Sequence, residues 1–218
     1  DEIPFVTIQL PVFNEIYVMD VASKKQLDDK VEWVKFSGIA WHGDGFYYSR
    51  YDEPKAGEAL KGANEFQKVY FHKVGTAQSE DKLVYQDTEN PARGFSASTT
   101  DDERFLILAG WESTSGNTLV FKDLTKANAD FQTVIDNFDN DHSVIGNDGE
   151  KLYVMTNLDA PNMRLVMMDA KNNAPANWEN ILPHTDNVLE SVSMVGGKLI
   201  AKYMVDANSK VYQYDMAG

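Results

Sequence analysis

The chain has 218 residues, no cysteine and a formal net charge of −14, because acidic side chains outnumber basic ones 34 to 20. Nucleic-acid binding needs clustered Lys and Arg to neutralise phosphates, so this balance argues against a nucleic-acid partner. The lack of cysteine excludes disulfides, thiolate metal sites and a cysteine nucleophile, and no apolar run is long enough to cross a bilayer.

Residues 1–13 do not follow the pattern of the remainder of the chain. Residues 3–13 are apolar and β-prone, but Pro4 and Pro11 each remove a backbone donor, which suits an edge strand. Two interpretations are open: a strand that closes the domain formed by residues 14–218, or a stretch foreign to that domain, which we favour. The start of the chain also lacks the basic residues of a secretory signal.

From residue 14 onwards, one β-prone strand pattern recurs five times. Successive copies lie about 45 to 55 residues apart, a period typical of repeat architectures with four short strands in each unit. The copies are residues 16–20, 69–73, 119–123, 165–169 and 211–215.

A predicted hairpin precedes each of the last four copies. A strand of small residues leads through an acidic or glycine turn into an apolar strand, and Asp-Gly or Gly-Gly pairs supply the positive φ that tight turns need. The predicted hairpins pair residues 36–41 with 46–49, 95–98 with 105–108, 142–145 with 152–155, and 191–195 with 199–203. Shorter outer strands are predicted at residues 82–86, 133–135 and 180–182.

This repeat predicts an all-β fold, a partial β-propeller with about three full blades and two partial blades. An incomplete ring leaves apolar blade faces uncovered, so we expect self-association or closure by residues 3–13. The loop at residues 52–62 contains Pro54, Gly57 and Gly62 among charged residues. It is predicted to be either a mobile surface segment or an inert insertion.

Several runs along the chain resemble one known family, in the same order. They include VKFSGIAW at residues 34–41, NEFQKVYFH at 64–72, GTAQSED at 75–81 and APNMRL at 160–165. Together they are similar to the propeller of prolyl oligopeptidases over about residues 14–218. The resemblance is specific because it is a colinear series of segments and not one short motif.

The resemblance implies a seven-bladed propeller that covers a separate α/β-hydrolase domain. That domain carries the catalytic serine, aspartate and histidine and cleaves oligopeptides after proline, without a cofactor. The implied partners are therefore the α/β-hydrolase domain and an oligopeptide substrate. We expect this chain alone to be inactive and its parent to be a serine-type prolyl endopeptidase. The sequence itself supports the expectation that this chain is inactive, since it contains no Gly-x-Ser-x-Gly nucleophile motif.

The same resemblance places a few propeller residues near the substrate pocket. Asn64, Glu65 and Phe66 match the family's pocket-side loop before a strand. A family cysteine near the pocket aligns with Val84, for which blade packing is the favoured role. No catalytic residue is expected within the chain.

Other polar and aromatic residues are given structural interpretations. The four histidines lack the i+4 spacing of paired metal ligands, so no metal site is predicted. His72 is interpreted as a packing or surface residue, and His142 as a packing residue or a polar lining near the ring axis. Asp28 and Asp29 are interpreted as turn acids. The tryptophans are expected to pack between blades, with a sugar-stacking platform as the alternative.

The acidic run at residues 136–141 superficially resembles a calcium loop. It lacks the required glycine and the distal glutamate, so a solvated turn between blades is favoured.

A second functional class is also open, a free-standing propeller that binds a peptide, a sugar or a partner protein. In either case the composition predicts a soluble protein of the cytosol or the bacterial periplasm, without membrane association.

Overall fold

The computed structural model describes the backbone of residues 5–9, and both the backbone and the side chains of residues 13–55 and 63–218. The predicted all-β architecture is confirmed, with short 3₁₀ turns at Gln78–Glu80 and Pro175–Asn177. The strands are β1 (Phe5–Gln9), β2 (Asn14–Asp20), β3 (Lys25–His42), β4 (Gly45–Arg50), β5 (Lys68–Lys73), β6 (Lys82–Gln86), β7 (Gly94–Thr99), β8 (Phe105–Trp111), β9 (Thr118–Asp123), β10 (Gln132–Ile135), β11 (His142–Asp148), β12 (Lys151–Thr156), β13 (Arg164–Asp169), β14 (Glu179–Leu182), β15 (Val188–Val195), β16 (Lys198–Val205) and β17 (Asn208–Asp215).

The strands form antiparallel sheets in which sequence neighbours are spatial neighbours. The sheet orders are β1-β2-β3-β4-β5-β6, β7-β8-β9-β10, β11-β12-β13-β14 and β15-β16-β17. The recurrent strand of the sequence is β2, β5, β9, β13 and β17, and the predicted hairpins precede the last four of these. The backbone divides into two compact units, Asp1–Thr99 with Gly110–Glu112, and Thr100–Ala109 with Ser113–Gly218.

The first sheet contains six strands because β3 pairs with β2 along its first half and with β4 along its second half. Its first half pairs with β2, from Asp20 opposite Lys25 to Asn14 opposite Val34. Its second half pairs with β4, and the register shifts between Val34 and Ile39. One strand is therefore both the outer strand of the first, partial blade and the inner strand of the next.

The N-terminal segment contributes a strand to this sheet. β1 pairs antiparallel with β2, with Thr7 opposite Ile16. A strand that closes the domain would pair in this way. The foreign origin of residues 1–13 and the domain boundary at residue 14 stay predictions. Residues 1–4 and 10–12, and residues 56–62 of the predicted mobile loop, lie outside the described residues.

Strand β12 shows how the core of the second unit is built. Leu152 and Val154 point to one face of its sheet, Tyr153 to the other, and all three are buried. One face packs in a cluster with β8, β9 and β13, and the other in a cluster with β15 and β16. Because both faces are covered, the strand is a continuous apolar run.

The first unit has its own core and uses aromatic packing within it. Ile16, Val18 and Val31 pack with Phe46 and Tyr48. Partly buried residues, including Trp41, pack against this cluster. No helix of the described residues has the length and hydropathy to cross a bilayer.

Candidate functional site

The bulge in β3 presents aromatic side chains in an unusual backbone conformation. Trp33 has φ +63° and Phe36 has φ +53°, in the left-handed region that bulky residues rarely adopt. Phe36 is 54% exposed, although a phenylalanine is stabilised by burial. An exposed aromatic residue held in a costly conformation is a candidate binding residue.

Lys35 connects the rings around this bulge. Its Nζ lies 5.6 Å from the ring centroid of Phe13 and 5.2 Å from that of Phe36. It also donates a hydrogen bond of 3.1 Å to Oδ1 of Asn64. The ring of Phe13 packs edge-on against Trp33 with centroids 5.5 Å apart. A cation between two ring faces is favourable, and it fixes the side chains that surround it.

Trp111, at the end of β8, completes the group, which we call the rim cluster: Phe13, Trp33, Lys35, Phe36, Asn64 and Trp111. The Trp111 ring packs edge-on against Phe36 with centroids 5.6 Å apart. It also lies directly over Gly94, where an added Cβ would be 2.1 Å from Cζ2 of the indole. Glycine is therefore required at position 94 for the ring to keep this place.

Three of the residues predicted near the pocket lie in or next to the rim cluster. Asn64, Glu65 and Phe66 are exposed on the connection that leads into β5, and Asn64 is a member of the cluster. Phe66 has φ +56°, and its N–H donates to the carbonyl of Pro91. Val84 lies elsewhere, half-buried in the outer strand β6.

The sequence predicts no functional role for Phe36 or Lys35, and for Trp111 it favours packing between blades. The left-handed φ of Phe36 is set by the register shift in β3, which residue type does not encode. Trp111 reaches Phe36 from a different sheet. The one sequence feature that could have indicated this site is the Lys-Phe pair at the start of a predicted inner strand.

His72 forms a second polar group in the first unit, and it is fully buried. Its Nδ1 lies 2.7 Å from Oδ1 of Asp81 and its Nε2 lies 3.0 Å from Oδ1 of Asp29. Asp81 also accepts a hydrogen bond of 2.6 Å from the hydroxyl of Tyr48, and Asp29 one from the N–H of Gly75. The interpretation of Asp28 and Asp29 as turn acids is wrong, because both lie in β3 and Asp29 is buried with its carboxylate bound to His72.

The charge of His72 follows from this geometry. Two ionised carboxylates can both accept from one imidazole only if each ring nitrogen carries a proton. Burial lowers the pKa of His72, but the hydrogen bonds and charges of Asp81 and Asp29 outweigh burial, so the pKa is raised above 6.5. Such an arrangement links three strand regions and has no open position for a substrate.

His142 is also a structural residue. It is buried, its Nδ1 lies 2.9 Å from Oγ1 of Thr156, and its ring packs edge-on against Trp178. Burial lowers its pKa. The Thr156 hydroxyl also accepts from the N–H of Leu158. This buried hydroxyl and imidazole therefore form a core hydrogen bond, as the interpretation of His142 as a packing residue predicts.

No group of three or more His, Asp or Glu in the described part of the chain is arranged to hold a metal ion.

Comparison with known proteins agrees with this blade architecture. The family described as prolyl oligopeptidase, N-terminal β-propeller domain, matches residues 13–218. The chain belongs to this family. The resemblance read from the sequence segments is thereby confirmed.

Relatives of this prolyl oligopeptidase propeller domain include two with named activities. The chain is 44% identical over 207 residues to a prolyl endopeptidase of Elizabethkingia meningoseptica, covering 94% of this chain and 29% of that protein. It is 32% identical over 201 residues to the dual function macrocyclase-peptidase POPB of Galerina marginata, covering 88% and 27%. The chain thus spans less than a third of the length of these relatives.

Solved structures show the same fold. A chain from a structural study of two prolyl endopeptidases superposes with a TM-score of 0.88 at 31% identity, covering 97% of this chain and 31% of that one. Prolyl oligopeptidase B of Galerina marginata, bound to a 35mer hydrolysis and macrocyclization substrate, superposes with a TM-score of 0.87 at 28% identity. That match covers 98% of this chain and 32% of the other.

Proposed function

We propose that this domain is the non-catalytic propeller of a serine-type prolyl endopeptidase, where it gates access of proline-containing oligopeptides to a separate α/β-hydrolase domain. The observation that carries the proposal is the family match over residues 13–218 combined with a span of 29% of the related prolyl endopeptidase. The larger part of such a protein has room for a catalytic domain. Residues 14–218 form the propeller portion, and the proposed activity needs no cofactor.

The rim cluster is the surface on which we place peptide contact. Phe36 and Trp111 expose ring surface on which a proline ring or an apolar side chain can pack, and Lys35 adds a positive charge next to them. Asn64, a member of the cluster, and the adjoining Glu65 and Phe66 are proposed as pocket neighbours. Val84 is proposed to act in blade packing. The domain is proposed to work in the cytosol or the bacterial periplasm.

The first test separates gating from catalysis. The full-length protein and a chain limited to residues 1–218 are each incubated with a chromogenic peptide that contains proline and with a fluorophosphonate serine reagent. We expect cleavage and labelling in the full-length protein, with the label mapping outside residues 1–218. Cleavage by the short chain, or a labelled serine within it, contradicts the proposal. A full-length protein that cleaves no proline-containing peptide contradicts it as well.

The second test addresses the rim cluster. Replacing Phe36→Ala removes one aromatic contact, which is worth about 0.5–1.5 kcal/mol, so the KM for the peptide should rise up to about tenfold with kcat retained. Tyr212→Ala is the matched control, because Tyr212 is also an exposed aromatic residue but lies in β17 of the other unit. An equal rise in KM for both variants would argue against the rim cluster.

A further inference from the structure

A buried amide supports the rim cluster from below. Gln67, directly before β5, has no exposed surface. Its Nε2 donates a hydrogen bond of 2.7 Å to the carbonyl of Lys35. Its Oε1 accepts a hydrogen bond of 2.6 Å from the N–H of Phe95. The amide of Gln67 therefore hydrogen-bonds to the backbone of two other strands, β3 and β7.

Each of these backbone partners adjoins one of the two rings that pack edge-on, Phe36 and Trp111. The carbonyl of Lys35 belongs to the peptide bond that enters Phe36. The N–H of Phe95 belongs to the peptide bond that leaves Gly94, the residue beneath the Trp111 ring. Loss of the amide would leave the buried N–H of Phe95 and the part-buried carbonyl of Lys35 without this partner. Gln67 therefore holds the backbone under both rings at once.

A purely structural role is the competing explanation, and the chain contains a matched case. Asn117, directly before β9, accepts a hydrogen bond of 2.8 Å from the N–H of His142 and donates one of 3.0 Å to its carbonyl. Its position in the repeat corresponds to that of Gln67, but its partner is not next to the rim cluster. A comparison of the two amides separates support of a blade from support of the rings.

We propose that Gln67 is a positioning residue that sets the spacing of Phe36 and Trp111 and thereby the affinity for peptide. This inference rests on the proposed function. Gln67 does not contact the peptide. It acts through the backbone at Lys35 and Gly94–Phe95, so its removal should weaken binding of the peptide without changing the chemical step.

The test uses the full-length protein with Gln67→Met, which keeps the length of the side chain and removes both hydrogen bonds. We expect the KM for a proline-containing chromogenic peptide to rise about three- to tenfold with kcat unchanged. Asn117→Leu is the control, and it should lower thermal stability while leaving KM unchanged. Should Gln67→Met fail to fold, Gln67→Glu replaces it, because the carboxylate still accepts from Phe95 but cannot donate to Lys35.

A double-mutant cycle with Phe36→Ala provides the deciding measurement. If Gln67 acts by positioning Phe36, then Gln67→Met should raise KM much less in the Phe36→Ala background than in the native one. Additive effects, an unchanged KM, or an equal rise in KM for Asn117→Leu would each overturn the inference. These outcomes are distinct from failure of the proposed function, in which the native full-length protein itself cleaves no proline-containing peptide.

Discussion

His72 is buried between two carboxylates, and the stability of the first unit should depend on whether its ring is protonated. Asp29 of β3, Asp81 before β6 and the Tyr48 hydroxyl of β4 are the ionisable groups of this network. The same Tyr48 hydroxyl donates to Asp81, and burial is the main cause that raises the pKa of Tyr48. Loss of the His72 proton would place a lone pair of the ring against a carboxylate oxygen.

The expected pH dependence has a definite sign. Because the pKa of His72 is raised in the folded state, its contribution to the free energy of unfolding is complete below pH 6.5 and is lost as pH rises through the folded pKa. Urea unfolding between pH 6 and pH 10 should therefore show a decline in stability on the alkaline side that is absent in His72→Gln. That variant should also lose about 3–5 kcal/mol, since two buried carboxylates lose their partner.

The control for His72 is His184→Gln, which changes an exposed histidine. It should keep both the stability and the alkaline decline of the native chain. An alkaline decline of the same size in His72→Gln would show that another group causes it.

Gly94 gives a steric prediction about the rim cluster. A methyl group at this position would lie 2.1 Å from the Trp111 ring, so Gly94→Ala should displace the indole from Phe36. Tryptophan fluorescence should shift to longer wavelength as the ring gains water. Gly38→Ala is the control, because an added Cβ there meets nothing within 4 Å. An unshifted emission spectrum in Gly94→Ala would contradict the described ring position.

At the scale of the strands, a repeated amide fixes where each new blade begins. Gln67, Asn117 and Asn162 all lie just before the third strand of a blade. Gln67 and Asn117 bond to backbone at the start of the next inner strand, and Asn162 donates to the carbonyls of Thr185 and Asp186 before β15. A side-chain amide can both donate and accept, so it suits the satisfaction of backbone groups that lie beyond a sheet edge.

Strand β12 provides a test of the two-faced packing in the second unit. Leu152→Ala should destabilise this unit by about 2–5 kcal/mol, because the truncated side chain leaves a cavity in a core with close packing. Lys151→Ala, one residue earlier and exposed, should change stability by no more than about 0.5 kcal/mol. Urea unfolding followed by circular dichroism measures both, and equal midpoints would contradict the packing of β12.

The strands and hairpins were predictable from sequence because their signals are local. Gly149 and the pair Gly196–Gly197 have positive φ in the turns, as the hairpin prediction required, whereas in the first hairpin Gly43 and not Gly45 has positive φ. The continuity of β3 was not predictable, since it depends on bulky residues in the left-handed region at Trp33 and Phe36. Local alternation cannot indicate this conformation.

The candidate site was less predictable than the fold, because its groups come together from distant segments. Asp29 and Asp81 lie far from each other in sequence and meet at His72 only after three strands have paired. The family resemblance identified the segment that contains Asn64 but not the rings beside it. Burial of Gln67 carries no sequence signal, since glutamine is usually exposed.

For the molecule as a whole, the exposed apolar residues of the last sheet predict association in solution. Val195, Val211 and Tyr212 are 60%, 64% and 43% exposed, and β17 is an edge strand among the described residues. Edge strands with exposed apolar side chains pair readily with other chains. Sedimentation of the 218-residue chain should therefore show concentration-dependent dimers or larger species.

Val211→Lys should reduce this association, because a charged side chain on an edge strand opposes further pairing. The control Lys151→Ala should leave it unchanged. A chain that stays monomeric at high concentration would contradict the prediction.

The shared strand β3 also determines how this architecture can be recombined. Its 18 residues join the first two blades without an intervening loop, whereas later blades are connected by irregular segments before β7, β11 and β15. Chimeras of related propellers with crossover points in those segments would exchange intact blades. A crossover within β3 would separate the half that pairs with β2 from the half that pairs with β4. It would also disturb the bulge that contains Phe36. The first two blades should therefore be inherited and exchanged as a single module.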